Sequence, residues 1–391
     1  MNRARRRHGA VFVGIFGFVG VSMSFWPTLL TARGLSASTI GVLLAIGPWL
    51  RFAINPRIGI LSDTRWGPRR VFLAFATLLC AGSLLLFASK LSLSLLVLSA
   101  ILMAVGFSPL ASLADASTLV HVRDDYARTR LWGSLSFIVC SLGLGYWLES
   151  HDVESVAYTL MLTSTLVLVT GLLIPGRPPA QARALPQTYA ATTSNLTMPP
   201  LLGVCILAGL LNASHAVLYG FGTLHWRSLG ISDGHIGALW TVGVIAEILI
   251  FMLADRLKHG ATARWLLWVA CLGGVVRWLL LAWSTSLAWQ VVAQILHAAT
   301  FACAHLGILR RLSQIVRDDR MASAVTKVAG IGGGLAMGVG SILAGVAYER
   351  FAGQSFLLAA AVSLAATLVL WSFSRTPHES GDESDNNQLL M

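Results

Sequence analysis

Gly34-Leu35-Ser36-Ala37-Ser38-Thr39-Ile40-Gly41 returns as Gly230-Ile231-Ser232-Asp233-Gly234-His235-Ile236-Gly237, an interval of 196 residues. Leu61-Ser62-Asp63 likewise returns as Leu253-Ala254-Asp255, and Arg123-Asp124-Asp125 as Arg317-Asp318-Asp319. A chain of 391 residues that repeats itself at about half its length reads as two parallel copies of one folding unit.

The composition says what solvent that unit meets. Apolar residues make up 55% of the chain, charged residues 12%, and mean hydropathy is +0.72, which excludes an ordinary soluble domain. The net charge of +11 does not point to nucleic acid, because the basic residues sit in short segments between apolar spans and not on one solvated face. A bilayer core needs about 20 apolar residues per helix. On that scale the chain is expected to cross twelve times, near 10–32, 40–61, 71–88, 92–116, 131–149, 155–174, 201–224, 235–255, 264–284, 287–309, 322–347 and 354–374. The expected organisation is a six-helix half at 1–174, a linker at 175–200 rich in Pro, Ala, Thr and Gln, a second six-helix half at 201–374, and a disordered acidic tail at 375–391. The first span lacks a small-residue cleavage site and is expected to stay in the mature chain.

Of the 28 Lys and Arg residues, 21 fall on the side that also holds the N-terminal Arg3, Arg5, Arg6 and Arg7, and four on the other. The positive side is cytoplasmic, so both termini are expected in the cytoplasm. The remaining three, Arg51, Arg277 and Lys327, lie within spans, as does Glu247. Charge at the centre of a lipid-facing helix costs about 2.5–3.5 kcal/mol, so Arg51, Glu247 and Arg277 are expected to face a protein interior or a water-filled path. The five cysteines all fall within spans without a C-x-x-C pair and read as buried inert thiols.

Between the second and third spans runs Gly59-Ile60-Leu61-Ser62-Asp63-Thr64-Arg65-Trp66-Gly67-Pro68-Arg69-Arg70. This resembles the loop signature of the major facilitator superfamily, with one extra residue before the Arg pair. Further strings resemble the lactose permease and, more closely, the phenylpropionate permease branch of that superfamily. They are Tyr126-Ala127-Arg128-Thr129-Arg130-Leu131-Trp132-Gly133-Ser134, Gly243-Val244-Ile245-Ala246-Glu247-Ile248-Leu249-Ile250-Phe251, Gly274-Val275-Val276-Arg277-Trp278 and Gln294-Ile295-Leu296-His297.

The resemblance implies an all-α membrane protein of twelve helices in two pseudo-symmetric halves, with a substrate site between them near mid-membrane. It implies a gating latch from Gly59, Asp63, Arg65, Gly67, Arg69 and Arg70, with a counterpart at Asp255-Arg256. It pairs Asp115 with Arg130 for substrate or gating, and assigns proton coupling to Glu247 with Arg277 and His297. The relative carries a second carboxylate where this chain has Thr300, so the proton site does not transfer whole. His305, eight residues after His297, is a substitute on the same helix face. Arg51, with no charge partner nearby in sequence, is a candidate anchor for a carboxylate, since its planar fork donates two parallel hydrogen bonds. With Trp26, Phe25, Tyr219, Phe221 and Trp240 it suggests a cavity for an aromatic acid. Gly330, Gly334 and Gly338 share one helix face and read as close helix packing.

The expected function is proton-coupled uptake of a small carboxylate such as 3-phenylpropionate by a monomer of the bacterial inner membrane. The partners are then that substrate, the proton and membrane lipid, with no cofactor, metal or nucleic acid. An exporter or antiporter of amphipathic compounds is disfavoured, because Ser141-Leu142-Gly143-Leu144-Gly145-Tyr146 lacks the Pro of the antiporter signature. A sugar or nucleoside symporter stays open. An enzyme is not expected, because no H-E-x-x-H, G-x-S-x-G or metal-spaced cluster is present.

Overall fold

The computed structural model describes residues 3–176, 199–253, 262–317 and 320–375, and among these there is no strand. The expected linker from 177 to 198, the Asp255-Arg256 latch counterpart, Asp318-Asp319 and the tail beyond Arg375 lie outside the described residues. The helical segments are α1 (Arg3–Ala32), α2 (Ala37–Ala53, continued as Asn55–Trp66), α3 (Pro68–Ala88), α4 (Leu93–His121), α5 (Tyr126–Leu148) and α6 (Ser155–Gly171). They continue with α7 (Pro200–Ser228), α8 (Asp233–Leu253), α9 (Thr262–Trp283), α10 (Leu287–Ile315), α11 (321–351) and α12 (Phe356–Arg375). Nine runs among the described residues are long and apolar enough to cross a bilayer, ten if the bent α2 counts as one. The number twelve rests on taking the shorter α6 as a span and dividing α11 from α12 at the turn 352–355.

The repeated octapeptide builds the same turn twice. After α1, Leu35 N–H donates to Leu30 O and Gly34 N–H to Thr31 O; after α7, Ile231 N–H donates to Trp226 O and Gly230 N–H to Arg227 O. These paired bonds close a helix end through a left-handed residue. Gly34 and Gly230 hold φ of +88° and +76°, which only glycine adopts without strain. The Ser36 hydroxyl then accepts from Thr39 N–H and starts α2.

Breaks inside helices are specific too. α2 bends by 50° at Ile54, ahead of Asn55-Pro56. There the Asn55 amide is clasped by Ser108, at the break in α4 before Pro109. Residues 62–66, 298–303 and 329–336 wind as π-helix, a rare wide turn that is frequent at functional sites.

Within the first half α1 packs on α5, α6 and α4, and α3 on α4 and α6. In the second, α7 packs on α11 and α12, and α9 on α10 and α12. Between the halves α2 meets α11, α5 meets α8, and α1 meets α7. Exchanging the halves turns the first of these contacts into the second, as a two-fold relation requires. Phe12, Ile15, Phe25, Leu29, Phe72, Trp226, Trp278 and Phe356 are fully buried in one core spanning both halves. Outward-facing Leu84, Val139, Leu162, Leu249, Leu343 and Leu368 stay exposed in every quarter of the bundle, as an apolar solvent allows.

The end of the bundle bearing the turns at 33–36 and 229–232 is called the far end, and the opposite one, where α1 starts, the terminal end. At the far end a Cβ on Gly41 would lie 2.5 Å from Ser341 O, and one on Gly237 2.6 Å from Ser141 O. The α2–α11 and α5–α8 interfaces therefore close backbone to backbone there.

Candidate functional site

Arg277 on α9 is fully buried, with its guanidinium over the Trp278 ring at 4.5 Å. Its Nε donates to Ala293 O at 2.8 Å, Nη2 to Gln294 Oε1 at 2.8 Å, and Nη1 to Thr300 Oγ1 at 2.8 Å and His297 Nδ1 at 3.2 Å. Every one of these acceptors is uncharged. A buried cation without a counter-ion is costly, and hydrogen bonds from neutral groups offset that cost only in part.

The ring tautomers follow from the partners. His297 Nδ1 accepts from Arg277, so in the neutral ring Nε2 carries the proton, and it points to Glu247 Oε2 at 3.7 Å. That separation is an ion-pair distance and not a hydrogen bond. His215 on α7 donates from Nδ1 to Leu211 O, which leaves Nε2 to accept from the Thr300 hydroxyl at 3.1 Å. Thr300 thus links Arg277 to His215, and it lies within the π-helical stretch of α10 that presents His297 and Thr300 together. The expected Glu247–His297–Arg277 grouping is present, ordered with the imidazole between the carboxylate and the guanidinium.

Rings line this network. His215 stacks tilted on Tyr219 at 5.4 Å and edge-on to His297 at 5.7 Å, while Tyr219 faces Trp240 at 6.4 Å. Trp240 Nε1 donates to Thr223 Oγ1, which donates to Ser24 O across the halves.

A second cluster stands on the first half. Arg130 Nη1 donates to Asp115 Oδ1 at 2.5 Å, and the Tyr126 hydroxyl donates to the same oxygen at 2.9 Å. The guanidinium lies over Phe16 at 5.2 Å and Phe12 at 5.8 Å. Arg130 stands on α5 and Glu247 on α8, two helices that meet across the halves.

The other expected residues lie elsewhere. Arg51 is exposed and makes no hydrogen bond or ion pair with any described residue. Trp26 is buried in the core with Phe25 and Phe221. His305 is exposed and edge-on to Phe251 at 6.0 Å, outside the Arg277 network. The eight-residue spacing placed it beside His297, but the intervening π turn rotates the helix and separates the two positions. In the gating loop Asp63, Arg65, Arg69 and Arg70 are exposed, and Asp63 forms no ion pair with a described residue. Gly67, at φ +78°, lets the chain pass close to Gly176 O, while Gly59 is half-buried with open space where a Cβ would stand.

His215 and Tyr126 escaped the sequence reading. His215 bore the same signal as Arg277, a polar group inside the apolar run 201–224, but without formal charge. Tyr126 stands four residues before Arg130, one helical turn away. Among the described residues no group of three His, Cys, Asp or Glu side chains is placed to hold a metal ion. Two surface cavities, about 620 Å³ beside Arg33, Lys90 and Glu154 and about 360 Å³ beside Trp283 and Trp289, lie away from these clusters.

The model of the MFS_1 like family matches residues 8–359. A "Probable 3-phenylpropionic acid transporter" of Escherichia coli (strain K12) is 32% identical over 364 residues, covering 89% of this chain and 92% of that one. The "Maltose permease" of Geobacillus stearothermophilus is 26% identical over 360 residues, covering 89% of each. Among solved structures, a mutant form of the nucleoside transporter NupG superposes with a TM-score of 0.80 at 15% identity, covering 95% of this chain and 99% of the other. That likeness concerns the fold.

Proposed function

Since the chain belongs to the MFS_1 like family of major facilitator transporters, we propose that it takes up a small carboxylate such as 3-phenylpropionate, coupled to the proton, by alternating access. Transport by a membrane-embedded, non-enzymatic protein is given by the family; the substrate, the coupling ion and the direction belong to the proposal. The observation that carries it is Glu247, three-quarters buried, held 3.7 Å from a neutral imidazole whose other nitrogen is bound to Arg277.

In this reading Glu247 is the proton carrier. Ionised, it is drawn toward His297 and the buried charge behind it; protonated, it loses that attraction, and α8, which packs on α5 of the other half, is released to move. Arg51, exposed and without a hydrogen bond or ion pair to any described residue, receives the substrate carboxylate. Tyr219 and Trp240 offer the faces on which an aromatic ring lies, and Trp26 packs in the core. The Asp115–Arg130 pair is lent to substrate or gate, and His305 stays a reserve proton site. In this reading the exposed Asp63 loop is the latch of the terminal side, with its counterpart at Asp255-Arg256 outside the described residues. The halves 1–174 and 201–374 are the rocking bodies, joined through 175–200, with both termini in the cytoplasm of a bacterial cell and the monomer as working unit.

A sugar or nucleoside symporter is the second reading, favoured by the closed Asp115–Arg130–Tyr126 cluster, whose charges suit hydroxyl groups better than a carboxylate. The test is uptake of labelled 3-phenylpropionate into proteoliposomes with and without an inward proton gradient. Gradient-driven accumulation, lost in Glu247→Gln while substrate exchange persists, is the expected result. Accumulation that persists in that variant overturns the coupling assignment.

A further inference from the structure

The far end carries a second repeat, one that joins the halves. Ser141 and Gly145 on α5, with Glu149 at its C-cap, recur as Ser341, Gly345 and Glu349 on α11, each triplet spaced by four residues and therefore on one helix face. Each face lies against the helix that opens the other half's octapeptide turn. The Ser141 carbonyl abuts Gly237, and the Ser341 carbonyl abuts Gly41. Gly145 lies against Asp233 O, and Gly345 against Ala37 O. Beyond the glycines come the carboxylates. Glu349 Oε2 accepts from Ser38 N–H at 2.7 Å, in the first turn of α2. Glu149 Oε1 accepts from Ser232 Oγ at 2.7 Å and from Gly234 N–H at 3.2 Å, in the first turn of α8.

We propose that Glu149 and Glu349 are gating residues of the far end, a two-fold pair of carboxylates that hold the halves shut by capping the N-termini of α8 and α2 across the interface. The first turn of a helix has unpaired N–H groups and the positive end of its dipole, so a carboxylate delivered there is attracted and satisfied. Because each cap comes from the opposite half, parting the halves exposes both helix starts and both carboxylates at once. Both glutamates are solvent-exposed, so water replaces the lost bonds and the contacts can be broken and remade in each cycle. Ser36 already caps α2 from within its own half, so Glu349 is not needed merely to start that helix.

This inference rests on the alternating-access reading, but its test needs no substrate. The full chain in lipid nanodiscs is compared with the double variant E149Q/E349Q by backbone hydrogen–deuterium exchange. Loss of both caps is expected to shift the open-to-closed ratio of the far end roughly three- to tenfold. Exchange then rises along residues 36–45, 139–149, 233–242 and 341–350 and falls at the terminal end, because one end closes as the other opens. The E149Q and E349Q single variants each give part of the shift and stand in if the double variant does not fold. E154Q removes a far-end carboxylate whose partners Arg33 and Lys90 belong to its own half, and it leaves the ratio unchanged. A rise confined to the amides of residues 37–40 and 233–236, with the terminal end unaltered, marks plain helix caps and overturns the proposal. An equal shift in E154Q overturns it as well. Failure of 3-phenylpropionate uptake bears on the substrate alone and leaves this result standing.

Discussion

At the scale of single residues, Thr300 is the joint of the buried network. Its hydroxyl accepts from Arg277 and donates to His215, two groups that have no water to fall back on. Thr300→Val keeps the shape and removes both bonds, leaving a guanidinium N–H and an imidazole nitrogen unpaired. The expected cost is about 1–3 kcal/mol, read as a lower midpoint of thermal unfolding in detergent, with Thr300→Ser close to the parent. An unchanged midpoint in the valine variant would mean that the two Thr300 bonds contribute nothing to stability. Glu247→Gln is the complementary case: its side chain reaches His297 only at 3.7 Å. That substitution should leave stability nearly unchanged and remove gradient-driven accumulation.

At the scale of elements, the interfaces between halves are set by backbone approach. A Val at position 237 would drive a branched side chain into Ser141 O and Leu142 Cα, distances of 2.6 and 3.0 Å from Cβ. Overpacking of this kind costs about 1–3 kcal/mol and falls only on the closed far end. Gly237→Val should therefore lower the closed population by about tenfold or more and slow net transport while leaving a folded protein, as judged by its elution from a sizing column and by far-end exchange. The π-helical stretch of α10 belongs to this scale too. It turns His297 and Thr300 inward together and sends His305 to the Phe251 side, which a regular 3.6-residue repeat did not foresee.

At the scale of the whole molecule, charge outside the bilayer ties the loops of the first half. Arg33 donates to both oxygens of Glu154, at 3.1 and 2.7 Å, and Lys90 stands at 3.2 Å. Hydrogen bonds from Arg33, with lesser help from Lys90, hold the Glu154 carboxyl below its usual range. A carboxylate depressed in the folded state contributes in full above its ordinary pKa of about 4 and loses that contribution as pH falls through the folded value. Melting temperature should thus be flat from neutral pH down to that range and then fall, with a shallower fall in Glu154→Gln. An identical slope in both proteins would exclude Glu154 as a source of the acid sensitivity.

The sequence by itself determined the class of this protein and much of its plan. Apolar runs of bilayer length dictate helices, because no other open structure satisfies its backbone in lipid. The octapeptide repeat dictated two related halves, and the embedded Glu247 and Arg277 marked where an interior had to be polar. Those signals are local, written in composition and spacing. Only the tertiary structure decided which polar groups meet. His215 comes from α7, Arg277 from α9 and Thr300 from α10, and their contact depends on helix rotation, which a π turn alters without trace in hydropathy. It alone also set the carboxylate ends of α5 and α11 on the starts of α8 and α2, because the partners of Glu149 and Glu349 are backbone amides, and every residue in a sequence carries one.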